Sequence, residues 1–167
     1  TSGVWSIAQD YSGSNRVDGY MTDFRVTHGE AITPPSSGPT ERLAATANTK
    51  FLYSGTGHIA DTHSSTFANN HTITVIGRVY TKPFSPYDHE EYSAASHGGS
   101  VYHEGTTGYT DYLEANYTAI GTNDFTLQFW VYPETSSDPY AGYFSSKKST
   151  SIPGITVAKD TIDIGTN

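Results

Sequence analysis

Cysteine is absent from the 167 residues, Met occurs once and Leu only four times. Without cysteine there is no disulfide framework, no thiolate zinc site and no cysteine nucleophile. The scarcity of Leu and Met, beside 24 Thr, 19 Ser and 13 Tyr, argues against a helical bundle, because strong helix formers are few where β-branched and aromatic residues abound. Lys and Arg together number 9 against 17 Asp and Glu, for a formal net charge of -8. The basic residues are scattered, so a phosphate-tracking surface for nucleic acid is not expected. No apolar run approaches the roughly 18 residues needed to span a bilayer as a helix. What remains is a β-rich chain with material for one domain of ordinary size, or for parts of two.

Strand signals are short alternating runs bounded by Gly, Asn, Asp, Ser and Pro, the spacing of an antiparallel sandwich or barrel. Val4 to Ala8 is a short apolar run ahead of the polar turn from Gln9 to Asn15. Gly19 to Thr27 reads as a half-buried strand, with Tyr20, Phe24 and Val26 on one side and Met21, Asp23 and Arg25 on the other. The stretch Pro34-Pro35-Ser36-Ser37-Gly38-Pro39 fixes φ and removes amide donors, so ladder pairing should stop there. A helical turn over Glu41 to Ala47 is disfavoured, since Leu43 is its only large apolar residue. Lys50 to Tyr53 is a further strand, and His71 to Tyr80 reads as one strand whose Gly77 marks a bulge. Ser100 to Glu104, Tyr112 to Ala115, Tyr143 to Lys147 and Ile155 to Lys159 continue the series. Asp124 to Tyr132 is the strongest signal. Phe125, Leu127, Phe129 and Val131 fill one face while Trp130 and Tyr132 make the other partly apolar, which predicts a central strand covered on both sides.

Two groups of residues resemble a known family. Ser100-Val101-Tyr102-His103-Glu104-Gly105 through Tyr112-Leu113, followed by Gly121 to Pro133 (GTNDFTLQFWVYP), resembles the opening strands of laminin-G-like, concanavalin-A-like jelly rolls. Ser14 to Gly29 (SNRVDGYMTDFRVTHG), with Thr33-Pro34-Pro35 after it, resembles the closing strand of the same family. The later half, including the strand from His71 and the loop Pro83 to Tyr87, is similar to repeats in structural and fibre proteins of marine tailed phages, cyanophage-like adhesins among them. The closing strand precedes the Pro-rich stretch, the opening strands follow it, and the family's middle strands are missing. The expected organisation is therefore the closing strands of one repeat over 1–33, a Pro/Ser-rich linker over 34–48, and the N-terminal part of a second repeat over 49–167. A single circularly permuted domain is the competing reading. The chain begins Thr1-Ser2-Gly3 and stops at Ile164-Gly165-Thr166-Asn167, and is read as a piece of a longer array.

Chemistry-bearing patterns are sparse. Glycosidases on jelly rolls need paired carboxylates on alternate residues of one strand, and the one dense acidic run, Asp88-His89-Glu90-Glu91, lies in a Pro-flanked loop. Gly-x-Ser-x-Gly and phosphate-binding loops do not occur. No enzyme is expected. His58 and His63 flank Asp61 and could ligate a metal if their loop folded back, though no second pair accompanies them. Where the family commonly has Phe-Asp-Gly this chain has His103-Glu104-Gly105, which lacks the aspartate that would carry over a calcium role. No cofactor is therefore assigned, and calcium has no specific motif. The tyrosines remain. Sugars stack their apolar faces on exposed aromatic rings while carboxylates and amides bind the hydroxyls. Asp10, Tyr11 and Asn15 in the first turn, with Asp138, Tyr140 and Tyr143 after the strong strand, are the candidate glycan-binding residues.

The resemblance implies an all-β antiparallel sandwich in a virion or extracellular fibre, structural and non-catalytic, adhering to a cell-surface glycan or host receptor. Its other partners would be neighbouring repeats or copies of the same chain, without nucleic acid or membrane insertion. The alternatives are a secreted bacterial carbohydrate-binding module attached to a hydrolase, and a self-complementing oligomeric decoration or filament protein.

Overall fold

In the computed structural model, the described residues are 2–10, 15–33, 41–53, 58–66, 69–84, 99–105, 111–118, 123–134, 141–146, 154–159 and 161–164. They carry the strands β1 (Ser2–Ile7), β2 (Gly19–His28), β3 (Thr49–Tyr53), β4 (Ile73–Ile76), β5 (Val79–Lys82), β6 (Ser100–His103), β7 (Tyr112–Thr118), β8 (Phe125–Pro133), β9 (Gly142–Ser145), β10 (Ile155–Ala158) and β11 (Thr161–Ile164). The protein is an all-β sandwich of two antiparallel sheets. One has six strands in the order β11-β10-β9-β1-β7-β4. The other is organised around β2, which pairs with β8 along one edge and with β6 and then β3 along the other, β5 lying outside β6. No helix among the described residues is long and apolar enough to cross a membrane.

With so little Leu, the core is built from rings. Trp5 of β1 lies 5.7 Å from both Phe51 and Phe144, and Phe24 lies 5.4 Å from Phe144 and 5.8 Å from Phe51, so aromatic contacts tie one sheet to the other. Ile7, Met21, Val26, Val101, Leu113 and Ala115 fill the space around them. Burying each such large side chain contributes about 1.5–3 kcal/mol.

Strands on both sides of residues 34–40 interleave. β1 pairs with β7 over six residues, and β2 with β8 over nearly its whole length, so the segments expected before and after the linker form one packed unit. The described part of the expected linker, 41–48, contains no helix and lies against β2, where the Ala44 carbonyl accepts a 2.7 Å bond from the Arg25 guanidinium.

Three expectations change. His71 to Tyr80 is not one bulged strand: Gly77, at φ 74°, lets the chain turn between β4 in the six-stranded sheet and β5 in the other. β8 is not central, because among the described residues it pairs with β2 alone. Instead β8, together with β10 and β11, lines an open groove of about 430 Å³, with Leu127, Phe129, Trp130, Ile155, Val157 and Ile162 among its walls. The continuous apolar signal of β8 thus reflects one face on the core and another carrying the half-buried Trp130 and the exposed Tyr132.

The third change concerns the faces of β2. Between Thr22, opposite Trp130, and Arg25, opposite Gln128, two residues of β2 face one of β8. This is a β-bulge, with Asp23 in the left-handed region at φ 51°. A bulge shifts the alternation by one residue. Met21, Phe24 and Val26 therefore all point into the core, while Tyr20 joins the outer face.

Candidate functional site

The bulge aligns four tyrosines. Tyr80 of β5 is opposite Tyr102 of β6, Tyr102 is opposite Tyr20 of β2, and Tyr20 is opposite Tyr132 of β8. Directly opposed residues share a sheet face, and neighbouring strands lie about 4.8 Å apart, so the row extends roughly 14 Å across four strands. Ring centroids are 5.0 Å apart for Tyr20 and Tyr102 and 6.4 Å for Tyr20 and Tyr132. Phe84, just after β5, packs 4.6 Å from Tyr20 and 5.5 Å from Tyr132. Tyr80, Phe84 and Tyr132 are 48%, 42% and 57% exposed. Rings this open to water, grouped on one face, differ from the scattered apolar residues of an ordinary surface.

A shallow depression of about 250 Å³ opens beside the row, lined by Tyr20, Thr22, Phe84, Trp130 and Tyr132. The Thr22 hydroxyl donates a 2.7 Å bond to the Gly99 carbonyl, fixing its floor. Polar groups border the rings. The Tyr102 hydroxyl lies 3.4 Å from Oδ1 of Asp18 and 3.4 Å from Oε2 of Glu134. A backbone bond of 2.9 Å from the Glu134 amide to the Asp18 carbonyl holds the two carboxylates together. Partial burial and these two carboxylates push the Tyr102 phenol up to about 12, so it stays protonated and donates.

Of the residues singled out from sequence, the described ones fall elsewhere. Asp10 and Asn15 meet, but they bond to each other: the Asn15 side-chain amide donates to Oδ2 of Asp10 at 2.8 Å and the Asp10 amide donates to the Asn15 carbonyl at 3.0 Å. They close the first turn. Tyr143 is buried on β9 with its ring 6.0 Å from Phe129. Tyr11, Asp138 and Tyr140 lie outside the described residues, as does the acidic run 88–91. Among the described residues, the end of β1 and the start of β9 adjoin. The Ala8 amide donates to the Tyr143 carbonyl at 2.6 Å, and a Cβ on Gly142 would stand 2.2 Å from the Asp10 nitrogen.

The tyrosine row escaped the sequence reading because it depends on pairing between strands distant in the chain. Its one trace in the sequence is the pair Trp130 and Tyr132, whose apolar character on the second face of β8 reads locally as burial. Of the histidines, His58 is exposed, whereas His63 and His71 both contact Asp61. Comparison with protein-family models, with curated proteins and with solved structures found no match to this chain.

Proposed function

We propose that the chain is a non-catalytic β-sandwich module of laminin-G-like jelly-roll type that adheres to cell-surface glycans, as part of a virion or extracellular fibre. The row Tyr80–Tyr102–Tyr20–Tyr132 is the observation that carries this reading. Aromatic rings offer flat apolar faces with a polar tip, which suits the apolar faces of pyranose rings. Asp18 and Glu134 supply acceptors for sugar hydroxyls, and bonds to ionised acceptors are shorter and stronger than neutral ones. The fibre setting rests on the resemblance of the sequence to phage repeats. The net charge of -8 favours neutral over sulfated or sialylated glycans.

A glycan array followed by titration calorimetry on the best ligand tests the proposal. Tyr132→Ala and Tyr80→Ala each remove an exposed ring and should weaken binding about tenfold or more, a loss of about 1.4 kcal/mol. Tyr132→Phe keeps the stacking face and should retain most of the affinity. No glycan binding by the parent chain, or undiminished binding by both alanine variants, would rule the reading out.

A further inference from the structure

Residues 58–66 and 69–72 lead from β3 to β4 and are organised around the carboxylate of Asp61, whose side chain is fully enclosed. Its Oδ1 accepts the Leu52 amide at 3.0 Å and the His63 amide at 3.1 Å. Its Oδ2 accepts the His71 amide at 2.8 Å and lies 2.9 Å from Nδ1 of His63 and 2.7 Å from Nδ1 of His71. Five nitrogens thus converge on a group with about four lone-pair sites, three of them on one oxygen. The amides account for the carboxylate's support. The two imidazoles are in excess.

We propose that Asp61, His63 and His71 form a site for one divalent transition-metal ion of the zinc type, bound by Oδ2 of Asp61 and Nδ1 of each histidine. The three donor atoms lie within 4.8 Å of one another. Tetrahedral zinc with bonds of about 2.0–2.2 Å places neighbouring ligand atoms about 3.3 Å apart, so each imidazole needs to withdraw from Oδ2 by only about half an ångström. On binding, each neutral imidazole exchanges tautomer through solvent, its proton passing from Nδ1 to Nε2, and turns the Nδ1 lone pair to the ion, which relieves the crowding at Oδ2. The amides of Leu52, His63 and His71 remain on the carboxylate and orient it, the support that ligating carboxylates characteristically have.

Accessibility and donor type agree with this assignment. The His63 and His71 side chains are 13% and 22% exposed while that of Asp61 is 0%, so a fourth position faces solvent on the imidazole side. The Phe51 ring, 6.0 Å from His71, and the 5.4 Å spacing of the two imidazoles restrict their movement. Two nitrogens and one oxygen suit zinc, nickel or copper, whereas calcium and magnesium take oxygen ligands. A metal there would pin the β3–β4 connection to the sandwich and add its binding energy to folding. The site is separate from the tyrosine row and stands or falls independently of the glycan reading.

The test uses the tag-free chain stripped with a chelator, with Zn²⁺ and Co²⁺ as probes. The parent should bind one equivalent by calorimetry, rise in Tm, and give the visible ligand-field bands of tetrahedral Co²⁺. His63→Asn and His71→Asn place an amide N–H near the lost Nδ1, so they preserve the hydrogen bond to Asp61 while removing the imidazole ligand. Metal-free, they should melt close to the parent, and their zinc affinity should fall at least tenfold. Absence of a zinc-dependent Tm rise in the parent would overturn the site. Equal zinc affinity in both variants would overturn it too, by placing the metal on the chain's other histidines.

Discussion

Asp23 and Asp61 are both buried aspartates, 0% and 3% exposed, yet their titrations move in opposite directions. Asp23 occupies the β2 bulge, where neither carboxylate oxygen makes a hydrogen bond of ordinary geometry. Burial pushes it up to about 7, against the opposing influence of Arg42, the Leu43 amide and Arg25. For Asp61 burial also acts upward, but the amides of Leu52, His71 and His63 and the His71 ring outweigh it, and the carboxyl lies below its ordinary value. Enclosure alone therefore does not decide the charge of a buried acid. The number of donors aimed at it does.

This contrast can be broken experimentally. The largest effect is expected from Asp61→Ala, which leaves three backbone N–H groups without their acceptor and should cost roughly 4–6 kcal/mol of stability in denaturant titration. A loss below 1 kcal/mol would show that the loop is not organised by this carboxylate. Asp23→Asn should act the other way. Because the folded value of about 7 exceeds the ordinary 3.8, the native state holds a proton that the unfolded chain releases, and stability is lost as pH rises from about 4 to 7. Asn removes that loss and tolerates φ 51°, so the variant should gain roughly 2–4 kcal/mol at pH 8 and almost nothing at pH 4. A pH-independent difference would contradict a raised carboxyl.

A smaller effect, roughly 2–3 kcal/mol, is expected at His103, fully buried and pushed down to about 4 by that burial against the influence of the Asp111 backbone, neither ring nitrogen making a hydrogen bond of ordinary geometry. Here the unfolded chain takes up the proton first, so stability falls as pH drops from about 6.5 to 4. Over that window the slopes of Asp23 and His103 offset each other in the parent. His103→Leu should expose the Asp23 slope, leaving a protein whose stability declines from pH 4 to 7; a profile unchanged from the parent would show that His103 is not held neutral.

Much of the strand pattern was legible in the sequence, because alternation and turn residues act locally. The exceptions are instructive. Gly77 could be read as a break but not as a change of sheet, since a glycine at positive φ serves a bulge and a sheet switch alike. The bulge at Asp23 left no local mark beyond a charged residue in an apolar run, and strict alternation then assigned Tyr20 to the wrong face. The carboxylate centre was half legible: Asp61 and His63 are neighbours in sequence, but His71 and the Leu52 amide reach them only through the return of the chain. The burial of Tyr143 was not legible, because a tyrosine after a strong strand has the same local signature whether its ring turns inward or out.

By itself the sequence determined the class of the protein, since scarce Leu, absent cysteine and abundant Thr and Tyr leave a β-sandwich core of aromatic rings as the way to bury apolar area. Only the tertiary structure decided which tyrosines stand in line. Their alignment depends on the register between strands far apart in the chain, and a slip of one residue, such as the bulge introduces, sends a side chain to the opposite face.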